Sequence, residues 1–126
     1  MSDATEHFQS TLGNVPPSIA VLAENAPDML DGYVGIRRWV LGSREGGLDL
    51  ATKELIFVLL DVVYDNEAGA LNHLAAAQRA GLTTTALLDA MVEVFMVGGI
   101  QTWGKVGHKV YEAALANERA HNSGAK

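Results

Sequence analysis

His73 is the residue in this chain whose type and setting best suit chemistry. It stands in DNEAGALNHLAAAQRAG, residues 65–81, a run of small side chains closed by Gly81. At about 100° per residue, Asn66, Gly69, Ala70 and His73 share one helical face, continued by Ala76, Ala77 and Ala80. Leu71, Leu74 and Gln78 fall to the other side. A face of glycine and alanine lets a neighbouring backbone come close and leaves room beside the imidazole. An imidazole titrates near neutrality, so in such a space it can give or take a proton. The same pattern also suits a hydrogen-bonded core histidine or a surface group. Upstream, Glu54, Asp61 and Asp65 recur at spacings of seven and four. They share one stripe of the preceding helix, which is either a solvated edge or a supply of carboxylates.

Other side chains offer less. Arg37, set among Tyr33, Val34, Ile36 and Trp39, could grip a carboxylate with its planar guanidinium, or make an interface or surface ion pair. Trp103 follows the Gly98-Gly99 pair and could form a lid or substrate platform, with a core position as the plainer expectation. His108 lies between Lys105 and Lys109 on what reads as a solvated helix edge, and His7 and His121 read as solvated. No H-x-x-x-H or H-E-x-x-H spacing occurs, and Glu54 with His73 makes two ligands, short of a catalytic zinc set. No metal or other cofactor is expected.

The elements that position these residues all read as helix. Residues 1–15 read as a polar, patternless and flexible arm, and 119–126 as a fraying tail, with one helical domain over 16–118 between them. Ser18 is expected to cap a short helix, IAVLAENA. Pro27 opens PDMLDGYVGIRRWVLG, SREGG is a loop, and Asp49 or Thr52 caps the helix through KELIFVLLDVVY. Gly81 is expected as the glycine that ends the small-residue helix, and Thr83 as the cap of TTALLDAMVEVFMV. That last segment is apolar almost all round, which predicts a central, buried helix, with Asp89 and Glu93 on a narrow solvent-facing stripe. The glycine pair then kinks or interrupts the helix before IQTWGKVGHKVYEAALANE. No sustained period-two alternation occurs, so the expectation is an all-α bundle of five to seven helices.

At 126 residues, 48% apolar and 19% charged, the chain suits one globular domain. It has no cysteine, which excludes disulfides, thiolate metal sites and thiol redox chemistry. Its start has neither the basic nor the apolar region of a signal peptide, and no apolar run reaches a membrane span, so a cytoplasmic protein is expected. A net charge of −6 with Arg37-Arg38 as the densest basic pair argues against an extended nucleic-acid surface. The expected partner is a small-molecule substrate, with no nucleic acid and no membrane.

The stretch LDLATKELIFVLLDVVYDNEAGALNHLAAAQRAGLTTTALLDAMVEVFMVGG resembles the carboxymuconolactone decarboxylase and alkylhydroperoxidase D-like family. The shared order is a Leu-x-x-x-x-Lys-Glu helix start (Leu48 to Glu54), an apolar run, a helix with His four residues after a small position, Ala80-Gly81-Leu82-Thr83, and a long apolar helix ending in two glycines. The resemblance covers about residues 16–116. In the peroxidase branch the helix carries Cys-x-x-Cys-x-x-x-His, with a relay Glu one helix earlier. Asn66, Gly69, His73 and Glu54 stand at those positions, so the acid/base members are kept and the redox members are gone. Without thiolate there is no thiol peroxidase.

The resemblance therefore implies the cysteine-free branch, which decarboxylates a carboxylated lactone of aromatic catabolism without a cofactor. It implies His73 as general acid/base, Glu54 as its orienting partner, and Asn66 and Gly69 shaping the substrate pocket, with Arg37 and Trp103 as further substrate-binding candidates. It also implies a homo-oligomer, a trimer or hexamer. Ala70-Leu71-Asn72-His73 departs from that branch's Glu-Leu-x-x-His, and Val97-Gly98-Gly99-Ile100-Gln101 replaces its aromatic-x-Gly-Phe-Pro turn. The alternatives are a catalytically inert ligand-binding or scaffold member, or another proton-transfer enzyme such as an isomerase or hydrolase.

Overall fold

A computed structural model describes residues 2–124 and shows seven α-helices and one π-helical turn, with no strand among the described residues. The chain forms two compact units, one ending at Leu48 and the other starting at Asp49. No helix among the described residues is long and apolar enough to cross a membrane.

In the first unit, α1 (Asp3–Leu12) starts at Ser2, whose hydroxyl accepts from the Thr5 N–H at 3.2 Å. A helix stands where a patternless arm is expected. Its anchors, Ala4, Phe8 and Leu12, recur every four residues and are buried with Leu30 and Val34. Three apolar residues in a polar segment make a narrow stripe, and that stripe suffices because each one is covered. In α2 (Pro17–Asn25) the first position is Pro17 itself, so Ser18 lies inside the helix and does not cap it. Proline fits there because its missing N–H would have no helical partner anyway. Pro27 opens α3 (Pro27–Leu41) in the same way.

The second unit carries the small-residue helix. Asp49 caps α4 (Leu50–Val63) by accepting from the Thr52 N–H at 2.8 Å, which settles the choice between the two candidate caps. The Thr52 hydroxyl first, and then this N–H, hold the Asp49 carboxyl below the ordinary carboxylate range. After α5 (Glu67–Arg79), Gly81 takes φ +108°, and Leu82 N–H reaches back to the Ala77 carbonyl at 2.9 Å. Thr83 caps α6 (Thr84–Gly98), which stops at Gly99 with φ +96°. A π-helical turn (Trp103–Gly107) leads into α7 (His108–Gly124), which continues as exposed helix where the tail is expected to fray. Met1 and the last two residues of that tail, 125 and 126, lie outside the described residues.

The core of this unit joins Val58, Val62, Ala70, Leu74, Leu87, Met91, Val106, Val110 and Ala114. The expectation of a fully buried α6 is corrected. Only Leu87 and Met91 are buried in it, while Met96 is 76% and Val97 85% exposed. One face of α6 meets the core, and the other is exposed. Asp89 and Glu93 are exposed, as the stripe predicts.

Candidate active site

The α4–α5 hairpin builds the site. α4 and α5 pack against each other more extensively than any other helices in the chain. Ala70, Ala76 and Ala77 of the small face are buried in α5, so that face does admit close approach, and Leu74 is buried from the other side. The turn between the two is tight. Asp65 takes a left-handed φ of +58°, and the Asn66 N–H bonds the Asp61 carbonyl at 2.8 Å. Asn66 then caps α5, its Oδ1 accepting from the Gly69 N–H at 3.2 Å. Its Nδ2 donates to Asp61 Oδ1, also at 3.2 Å. On the outside of the turn, Lys105 pairs with Asp65 at 3.6 Å and Lys109 with Glu67 at 3.3 Å.

Two turns further along α5, His73 Nδ1 lies 2.7 Å from Glu54 Oε2. The Glu54 side chain is 2% exposed and that of His73 13%. An ionised carboxylate can only accept, so with Glu54 ionised the proton sits on Nδ1 and Nε2 carries the lone pair of the neutral ring. The Phe57 ring lies 4.6 Å from the imidazole, between centroids, and limits how the ring can turn. Glu54, Phe57 and Asp61 follow one another along the α4 face that meets α5. Sequence reasoning placed Asp61 in an acidic stripe but gave it no part in the site. Its carboxyl is pushed up from the ordinary 3.8 by burial, against the opposing effects of the His73 charge and the Asn66 hydrogen bond. The signal that could have found it was the coincidence of an acid two turns after Glu54 with a glycine at 69.

The other candidates sit in different settings. Arg37 is buried, and its contacts lie in the first unit: Nε donates to His7 Nε2 at 3.2 Å, Nη2 to Thr11 Oγ1 at 3.3 Å, and the guanidinium lies 4.6 Å from the Phe8 ring centre. His7 is thus half-buried and bonded, where solvation is expected. Burial, and then the charges of Arg37 and Arg38, hold its pKa below the ordinary 6.5. Trp103 packs on the core, with Phe95 and Tyr111 each 6.1 Å away between ring centres. His108 pairs with Glu112 at 3.1 Å on the helix edge. A surface hollow in this unit lies at the other end of α5, lined by Gln78, Arg79, Asn117 and His121 among others.

No family model matches the chain, and no curated protein matches it. A solved structure does: a protein of Burkholderia xenovorans LB400 whose designation as a carboxymuconolactone decarboxylase is provisional. The two are 34% identical, the match covers 98% of this chain and 93% of that one, and the TM-score is 0.87. Identity at that level across nearly both full lengths, on one fold, shows that this chain belongs to the carboxymuconolactone decarboxylase family.

Proposed function

We propose that the protein is a cofactor-independent acid/base lyase that decarboxylates a small carboxylated ring or enol-lactone metabolite. The observation that carries this is the 2.7 Å contact of His73 Nδ1 with the buried Glu54, which fixes the imidazole by one nitrogen and leaves the other without a part in that contact. Loss of carbon dioxide breaks a carbon–carbon bond and sends its electron pair into the substrate's own conjugated carbonyl. His73, protonated on both nitrogens with Nδ1–H held by Glu54, then delivers its Nε2 proton to carbon and becomes the neutral Nδ1–H tautomer, and solvent reprotonates Nε2. The net step consumes one proton and needs no oxidant. Glu54 fixes the tautomer and the ring's direction and stabilises the imidazolium, a task of orientation and charge. Asn66 and Gly69 form the floor beside it. Trp103 supports that floor through the core, and the contacts of Arg37 make it a packing cation of the first unit.

The active form in this proposal is a homo-oligomer. Val92, Met96 and Val97 on α6, and Ile56, Leu60 and Val63 on α4, are exposed apolar side chains on helices that are apolar along their length. Such an area on a single chain marks a protein contact, and a second copy would also draw water away from the hairpin. Sedimentation velocity checks this. A species larger than the monomer is expected, reduced to monomer by charges at Met96 and Val97.

The activity is tested by screening carboxylated lactones and phenolic or unsaturated acids for carbon dioxide release, with wild type beside His73→Ala. The expected result is release that His73→Ala abolishes. Equal release by both removes His73 from the mechanism, and no release from any acid leaves the inert ligand-binding alternative.

A further inference from the structure

Asp61 is the acid beside His73 that the chemistry above leaves unused. It follows Glu54 by seven residues, so α4 presents two carboxylates to α5 at successive levels, with Phe57 between them. Glu54 is spent on His73 Nδ1. Asp61 is spent only in part. Its Oδ1 takes the Asn66 amide at 3.2 Å, while Oδ2 lies 2.7 Å from the point where a side chain at Gly69 would begin. The missing side chain at 69 is therefore not an empty remnant, because the Asn66 amide and the Asp61 carboxylate oxygen together fill the space. The His73 charge acts on this carboxyl, which is partly buried. The nearby acids of the turn, Asp65 and Glu67, are paired outward with Lys105 and Lys109.

We propose that Asp61 sets which ligand the site accepts: its Oδ2, held over Gly69 by Asn66, takes a hydrogen bond from a hydroxyl or enol of a small monocarboxylate and repels a second carboxylate. This selection applies to the site read above around His73 and Glu54. A carboxylate is an acceptor only, and its hydrogen bond from a hydroxyl is short and charge-assisted. A carboxylate brought to the same place meets like charge in a partly desolvated setting, where the repulsion is larger than in water.

Calorimetric titration of the full chain at near-neutral pH tests this with two probes of one shape, para-hydroxybenzoate and terephthalate. Wild type is expected to bind para-hydroxybenzoate about tenfold more tightly or better. Asp61→Asn brings the ratio towards one. Gly69→Ala does the same with the charge still present, because its methyl displaces Oδ2 and the Asn66 amide and leaves Glu54–His73 alone. An unchanged ratio in Asp61→Asn, or failure of both probes to bind wild type, overturns the proposal. Carbon dioxide release separates it from the proposed activity. A shifted ratio without release sinks the decarboxylase and keeps the role of Asp61, and His73-dependent release with an unshifted ratio does the reverse.

Discussion

His7 and His73 are both half-buried imidazoles hydrogen-bonded between helices, yet one faces an arginine and the other a glutamate. Against Arg37, His7 must offer a lone pair on Nε2, and the same cation, with Arg38 and burial, opposes its protonation. It is thereby held as a neutral acceptor that satisfies a buried guanidinium. Against Glu54, His73 offers Nδ1–H, and its positive form is matched by an adjacent negative charge. The side chain is the same, and the sign of its neighbour decides whether it accepts or donates the hydrogen bond.

The comparison breaks most visibly at His73. His73→Gln keeps a polar group of similar reach but no titrating proton, and carbon dioxide release should fall about a thousandfold, measured by single-substrate kinetics. Glu54→Ala should cost about 3 kcal/mol of stability in urea unfolding, since it strips a partner from a buried polar pair. A fall well below that would show that Glu54 is not held by His73. His7→Ala should cost about 1 kcal/mol, through the lost acceptor for Arg37 and the lost edge contact with Phe8. Carbon dioxide release should stay within a factor of about two.

The two units should also differ in their response to acid. The pKa of His7 is lowered on folding, so the unfolded chain binds the proton more readily. Stability of the first unit should fall as pH drops through 6.5 towards the lowered value. Hydrogen exchange of α1 and α3 amides checks this, and His7→Gln should flatten the trend. Asp61 runs the other way. Its raised pKa means that the folded chain holds the proton longer, so stability falls as pH rises from 3.8 through the raised value. Asp61→Asn should therefore raise the melting temperature at neutral pH by about 2 °C, with the gain vanishing in acid.

Much of the hairpin is legible in the sequence because its signals are local. Asp49, Thr83 and Gly81 mark helix ends by chemistry that acts within four residues, and Glu54 and His73 are placed by helical period once the turn between them is granted. What escapes is decided at longer range. α1 is anchored by Phe8 and Leu12 through Leu30 and Val34, residues far along the chain. α6 reads as buried because its composition is that of a covered helix, and composition does not say which of its faces meets the core. Asp61 needs the pairing of α4 with the start of α5 before its overlap with Gly69 can be seen. Arg37 is a cation with two possible audiences, and only folding shows that it answers to His7.

The π-helical turn at Trp103–Gly107 acts as a phase shift. A turn of this kind holds one residue more than an α-helical turn, so everything beyond it is one step out of register with everything before. Thr102 and Gly107 are both buried although five apart, whereas Val106, Val110 and Ala114 keep the ordinary step of four. Two sets of inward positions that no single straight helix could align are thereby fitted to one core.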